Sequence, residues 1–122
     1  MNGQANDRLR ERLCAALRAH MAGGRLDLPE GASPLWNAFC DLSAARGWHQ
    51  LGPNPFGFAE IEAWSRLMRQ PLEPRHVAIL RALDGVWIEA TVAALNGDRS
   101  SRQASRHVSG AMTPDIFDAI IR

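Results

Sequence analysis

Residues that could bind a metal or transfer a proton are spread widely along this 122-residue chain. Glu60 and Glu62 flank Ile61, so they point to different sides of a predicted helix and form no carboxylate pair for acid–base catalysis. No two histidines have the spacing that places two metal ligands on one helical face. They lie in separate predicted elements: His20, His49, His76 and His107. The sequence predicts no metal site.

Motifs for covalent or phosphate chemistry are also absent from the sequence. It contains neither the nucleophile motif GxSxG nor the glycine-rich motifs GxGxxG and GxxxxGK. All 14 basic residues are arginines, so no lysine can form a Schiff base. We therefore expect no cofactor and a protein that is not an enzyme. The net charge of +1 gives no general attraction to polyanions, so nucleic acid is not an expected partner.

Two residues are candidate contacts for a protein partner. Asp84 lies within the apolar face of the longest predicted helix, so its charge needs Arg81, an arginine from another helix, or a partner protein. Trp48 follows the end of a predicted helix, and either holds the next loop on the core or is an exposed anchor. The other tryptophans share the apolar phase of predicted helices and are expected in the core: Trp36, Trp64 and Trp87.

Apolar periodicity predicts the elements that position these residues. The predicted helices are 7–21, 33–46, 58–69 and 74–95. Residues 52–57 (GPNPFG) contain two prolines and two glycines, which predict a loop of fixed shape. Cys14 and Cys40 have no CxxC spacing and are expected to be buried. The fold class predicted for residues 1–97 is all-α, a small bundle of four helices with this Pro-rich loop.

The remaining residues divide into two segments. Residues 98–112 are polar and rich in serine and arginine, which predicts a flexible linker. Thr113 and Pro114 then favour the start of a short helix over 113–122. This predicted docking helix places large apolar side chains close together, and they must pack on the protein's own core or on a partner. They are Ile116, Phe117, Ile120 and Ile121.

The sequence also favours a cytoplasmic protein without a membrane anchor. Its first residues, MNGQANDRLRER, are polar and include acidic side chains, unlike a secretory signal. No apolar stretch approaches the roughly 18 residues that a membrane-spanning helix needs.

A combination of short motifs between Leu35 and Ala90 resembles a known group of proteins. It comprises Trp36 and Phe39, then ARGW (45–48), GPNP (52–55), EIEAW (60–64), Arg66-Leu67, Pro71-Leu72 and LRALD (80–84). In this combination the chain resembles small proteins encoded in the tail modules of long-tailed phages and prophages, and is similar to tail assembly chaperones.

The resemblance implies a non-enzymatic, α-helical protein that acts during assembly of the phage tail. Such a chaperone or adaptor would hold the tape-measure protein in solution and present tail-tube subunits in the host cytoplasm. The expected partners are therefore proteins, with a second copy of the chain as a further possibility. The family positions end near Ala90, so residues from Asp98 onward receive no role from the resemblance.

A DNA-binding regulator is the alternative from a different functional class. The predicted helices 58–69 and 74–95 would form a helix-turn-helix. Arginines on both helices would contact phosphates: Arg66, Arg69, Arg75 and Arg81. Local acidic residues offset these charges, which disfavours the alternative: Glu60, Glu62, Glu73 and Asp84.

Overall fold

The computed structural model describes residues 2–104, which form four helices and one short β-hairpin. The elements are α1 (Asn2–Met21), α2 (Ser33–Ala44), β1 (Trp48–His49), β2 (Gly52–Pro53), α3 (Phe58–Leu67) and α4 (Pro74–Ala104). The chain is mostly helical and of the all-α class, as the periodicity predicts. The predicted docking helix over 113–122 lies outside the described residues.

Local backbone chemistry sets the bounds of the first two helices. After α1, Gly23 has a φ of +97°, which favours glycine, and the amide of Gly24 donates to the carbonyl of Ala19 at 2.8 Å. Pro34 lies in the first turn of α2, where its missing N–H has no helical partner to lose. The α2 helix ends at Ala44, which places Arg46 immediately beyond its last turn.

The core lies where α1 and α2 pack against α4. The buried side chains of these helices include Leu13 and Leu17 of α1, Leu35, Phe39 and Leu42 of α2, and Ile79, Leu80, Leu83 and Trp87 of α4. The shorter α3 buries only Ile61 fully and contacts α2. It therefore lies at the edge of this core, with one face available for other contacts.

Three residues expected in the interior are more accessible than the sequence predicts. Cys14 is buried, but Cys40 is exposed, because it lies at the edge of the apolar face of α2 rather than at its centre. Trp36 and Trp64 are only partly buried, whereas Trp87 is buried as predicted. The indole N–H of Trp64 donates to a carboxylate oxygen of Asp41 at 3.1 Å, so this edge of the ring faces polar groups.

The α4 helix continues past its predicted end near Leu95 and includes residues 98–104 of the predicted linker. Gly97 does not have the positive φ that would end a helix. A glycine inside a helix costs only about 0.5–1 kcal/mol, and Ala94 and Leu95 are partly buried just before it. The predicted end of this helix near Leu95 is therefore wrong, because α4 does not stop at Asn96-Gly97.

A two-residue turn at Gln50–Leu51 joins β1 and β2 into an antiparallel hairpin that periodicity did not predict. Trp48 pairs with Pro53 and His49 with Gly52, and the amide of Leu51 donates to Nδ1 of His49 at 3.1 Å. Gly52 has a φ of +146°, a conformation that favours glycine. The β2 strand packs against α4, so the hairpin is fixed to the central helix.

The position of α4 at the centre predicts a large effect of truncating its inner face. Leu83→Ala removes a side chain that is completely buried, and should lower the free energy of unfolding by about 2–5 kcal/mol. Leu67→Ala, at a residue that is 77% exposed, is the matched control and should change it by less than about 0.5 kcal/mol. Urea denaturation followed by tryptophan fluorescence measures both values, and equal effects would contradict this placement of the core.

Candidate functional site

The sequence singles out Asp84, and the structure places it at the centre of a buried network. Its side chain is 5% exposed, and one carboxylate oxygen lies 2.6 Å from Nη1 of Arg46, whose side chain is 1% exposed. The second carboxylate oxygen accepts a 2.8 Å hydrogen bond from the amide of Phe56. Asp84 therefore finds its cation within the chain, and its side chain is almost entirely buried.

Arg46 also binds the backbone and two aromatic rings. Its Nη1 donates to the carbonyl oxygen of Asn54 at 2.8 Å. Its guanidinium carbon lies 4.3 Å from the ring centre of Phe56 and 4.2 Å from that of Trp87. A planar guanidinium can stack on rings while its edge donates hydrogen bonds, and a lysine ammonium cannot do both.

The aromatic contacts extend this network across the molecule. Phe56 meets Phe39 edge-on at 5.9 Å between ring centres, and Phe39 lies 5.7 Å from Trp36. On the other side, Trp87 meets Trp48 edge-on at 6.1 Å. We call Arg46, Asp84, Phe56 and Trp87 the arginine cage. It joins the end of α2, the residues after β2, and α4.

Burial and the negative charge of Asp84 act on Arg46 in opposite directions. Removal from water lowers the pKa of Arg46, and the charge and hydrogen bonding of Asp84 offset part of this decrease. Because the ordinary value for arginine is far above neutral, the guanidinium stays charged at pH 7. The ion pair is enclosed, so its role is structural: it connects three segments of the chain.

Trp48 packs on the core and is also partly exposed. Its ring packs on Trp87, which holds the hairpin against the core, yet the residue remains 40% exposed. Leu51, at the turn of the same hairpin, is 78% exposed. The candidates Ile116, Phe117, Ile120 and Ile121 lie outside the described residues.

A second apolar surface lies between α3 and the beginning of α4. An open groove of about 310 Å³ is lined mainly by Phe58, Ile61, Leu72 and Val77, with Glu62 and Ser65 on the α3 side. Arg81 stacks over the outward ring of Phe58, with its guanidinium carbon 4.4 Å from the ring centre. We call these residues the α3–α4 groove. Leu67 and Met68 extend the exposed apolar surface at the end of α3.

The sequence identifies Asp84 as a buried acid that needs a partner, but it does not identify which cation pairs with it. It offers Arg81 or an arginine from another helix, and the structure selects Arg46, which the pattern identifies only as the end of α2. The available signal was an arginine between Ala45 and the Gly47-Trp48 pair, directly before the Pro-rich loop. Spacing along one chain could not show that this loop folds back over α4.

Most arginines of the helix-turn-helix alternative have partners within the chain. Three of the four contact an acid or a ring: Arg66 Nη1 lies 3.9 Å from Glu62, Arg75 Nε lies 2.9 Å from Glu73, and Arg81 stacks on Phe58. These contacts compete with phosphate binding, and nothing in their geometry favours the alternative.

The described residues contain two free thiols but no cluster of metal ligands. Among residues 2–104, no three histidine, cysteine, aspartate or glutamate side chains lie close enough to hold a metal ion. Desolvation raises the pKa of the Cys14 and Cys40 thiols, and the charge of Asp41 adds to the effect at Cys40. Both thiols are therefore protonated and weakly nucleophilic at neutral pH. None of the helices in the described part of the chain has the length and apolarity to cross a membrane.

The arginine cage predicts strong coupling between its two charges. Asp84→Asn leaves the buried guanidinium without a counter-charge and should lower the free energy of unfolding by about 3–5 kcal/mol. Arg46→Met combined with Asp84→Asn removes both charges, so the double variant should lose much less than the sum of the two single variants. A urea-denaturation cycle of the four proteins measures this, and strictly additive losses would show that the pair is not coupled.

Comparison with protein families matches a stretch of the chain that includes both the arginine cage and the α3–α4 groove. A family model described as phage tail assembly chaperone matches residues 8–89, about two thirds of the chain. Comparisons with curated proteins and with solved structures give no match. The match confirms the resemblance that the motifs between Leu35 and Ala90 indicate, and extends it to most of α1. The chain therefore belongs to the phage tail assembly chaperone family.

Proposed function

We propose that this protein binds the tape-measure protein and the tail-tube subunits while the phage tail assembles, and acts in the host cytoplasm as a non-enzymatic adaptor. Its family supplies the general role. The observation that carries the specific proposal is the set of large apolar side chains exposed on the hairpin and on α3. They are Trp48, Leu51, Phe58, Leu67 and Met68.

Exposed apolar residues of this size favour protein contacts, because single domains rarely present many of them without a partner. Trp48 has the properties of a binding anchor: a large ring, partly exposed and held in place from behind by Trp87. Leu51 projects from the turn beside it. A partner with an apolar helical face could cover both residues at little ordering cost to the hairpin.

The rigidity of this surface comes from the arginine cage. The four helices act as a small bundle that fixes the Pro-rich loop over 52–57, and the loop in turn supports the hairpin. The buried ring of Phe56 and the bond from Arg46 to the carbonyl of Asn54 support this part of the proposal. A surface that is already ordered loses less entropy when it binds.

The chemistry of the buried ion pair supports the non-enzymatic role that we propose. Asp84 and Arg46 neutralise each other in the interior, and neither reaches solvent. Such a pair can stabilise a fold, but it cannot accept a substrate without opening the core.

Co-expression with the tape-measure protein encoded in the same tail module tests the proposal. The adaptor should raise the fraction of tape-measure protein that stays in solution, and the two should co-purify. Leu51→Ser should reduce co-purification at least threefold without changing the melting temperature, because Leu51 is exposed in the turn.

Gln50→Ser, in the same turn, is the matched control and should co-purify as the parent protein does. If the parent protein neither co-purifies nor changes the solubility of the tape-measure protein, the proposed partner is wrong. If Leu51→Ser and Gln50→Ser behave alike, the hairpin is not the contact surface.

A further inference from the structure

The α3–α4 groove is an apolar surface that the fold builds but does not fill. Its volume of about 310 Å³ is at the lower end of the range for binding clefts, roughly 300–1,000 Å³. Its walls come from successive turns of α3 at Phe58, Ile61 and Ser65, from Leu72 just before α4, and from Val77 in the first turn of α4. This shape suits a few large apolar side chains presented by a short helix.

The sequence of this same chain contains a segment with that chemistry. Residues 113–122 (TPDIFDAIIR) carry four large apolar side chains on neighbouring positions of one helical face: Ile116, Phe117, Ile120 and Ile121. Asp115 and Asp118 flank the first pair. At the groove, the guanidinium of Arg81 lies over Phe58, so opposite charges would meet at its edge.

Distance along α4 makes it hard for this segment to reach the groove of its own chain. The groove lies at Val77, and the described helix continues to Ala104. These 27 residues of helix correspond to about 40 Å at roughly 1.5 Å per residue. Eleven residues, 105–115, lie between Ala104 and Ile116, and the twelve Cα–Cα steps across them span at most about 40 Å when fully extended.

A chain of that length seldom adopts its full extension. A flexible chain of this many residues has a typical end-to-end distance of about 20 Å, half of the roughly 40 Å needed to reach the groove of the same chain. If two copies paired their α4 helices antiparallel with these residues aligned, by contrast, Ala104 of one copy would lie beside Val77 of the other. The same linking residues would then reach the groove of the second copy without strain.

We propose that residues 113–122 of one copy occupy the α3–α4 groove of a second copy. The proposal rests on the length of the linking residues, on the apolar side chains of both surfaces, and on the opposite charges of Arg81 and the two aspartates. The exchange is reciprocal, because each copy has one groove and one segment, and it closes a two-fold symmetric dimer. The proposal goes beyond binding of tail proteins and can be tested on the purified chain alone.

Sedimentation equilibrium of the full chain should give the mass of a dimer. Ile116→Asp combined with Ile120→Asp places charge on the docking face and should weaken dimerisation at least tenfold. Ala119→Asp places one aspartate on the other side of the predicted helix and should leave the dimer intact. On the groove side, Leu72→Glu should weaken dimerisation to a similar degree, while the exposed Leu67→Glu should not.

Mixing the two defective variants gives the sharpest test. The segment variant keeps an intact groove, and Leu72→Glu keeps an intact segment, so the mixture can form one of the two contacts. It should therefore associate more tightly than either variant alone.

Three results would overturn the proposal. One is a monomeric full chain in which the segment variant lowers the melting temperature, which would place the segment on its own core. Another is a dimer that neither variant weakens, which would place the dimer contact elsewhere. The third is a mixture that associates no better than the separate variants.

Discussion

The ion pair between Arg46 and Asp84 is the constraint on which the rest of the structure depends. Arg46 follows α2, Asp84 lies on α4, and the backbone groups that complete their hydrogen bonding belong to Asn54 and Phe56 after the hairpin. A charge cannot remain in an apolar interior without its partners. The three segments are therefore obliged to meet at one point, and the position of the hairpin on α4 follows from that meeting.

The two sides of the molecule consequently differ in character. On the side of α1 and α2, aliphatic side chains fill the space against α4. On the side of the hairpin and α3, few residues are buried, and Ile61 is the single fully buried residue of α3. Apolar groups on this second side remain exposed, although the backbone that carries them is fixed. The tail assembly chaperone family implies protein partners, and an exposed apolar side on a fixed backbone suits contacts with them.

The sequence is informative wherever a local rule decides the structure. Periodicity predicts the four helices and the all-α class, and the apolar phase of Leu80, Leu83 and Trp87 identifies the inner face of α4.

Local rules fail where a distant contact decides. The sequence pattern misplaces the end of α4, because a glycine after asparagine usually ends a helix and Gly97 does not. The hairpin is missed because two-residue strands carry no alternation to detect. Asp84 is recognised as a charge in need of a partner, yet Arg46 is 38 positions away, and only the folded loop brings it there.

The hydrogen bond from Phe56 to Asp84 has a consequence for how the molecule fluctuates. Loops usually exchange their amide protons through small local openings. The amide of Phe56 cannot do so. Breaking its hydrogen bond leaves an oxygen of Asp84 without this donor, while the carboxylate stays buried against Arg46. The amide of Phe56 therefore opens together with the core, and its exchange with deuterium reports on the whole fold, although it lies in a segment without regular secondary structure.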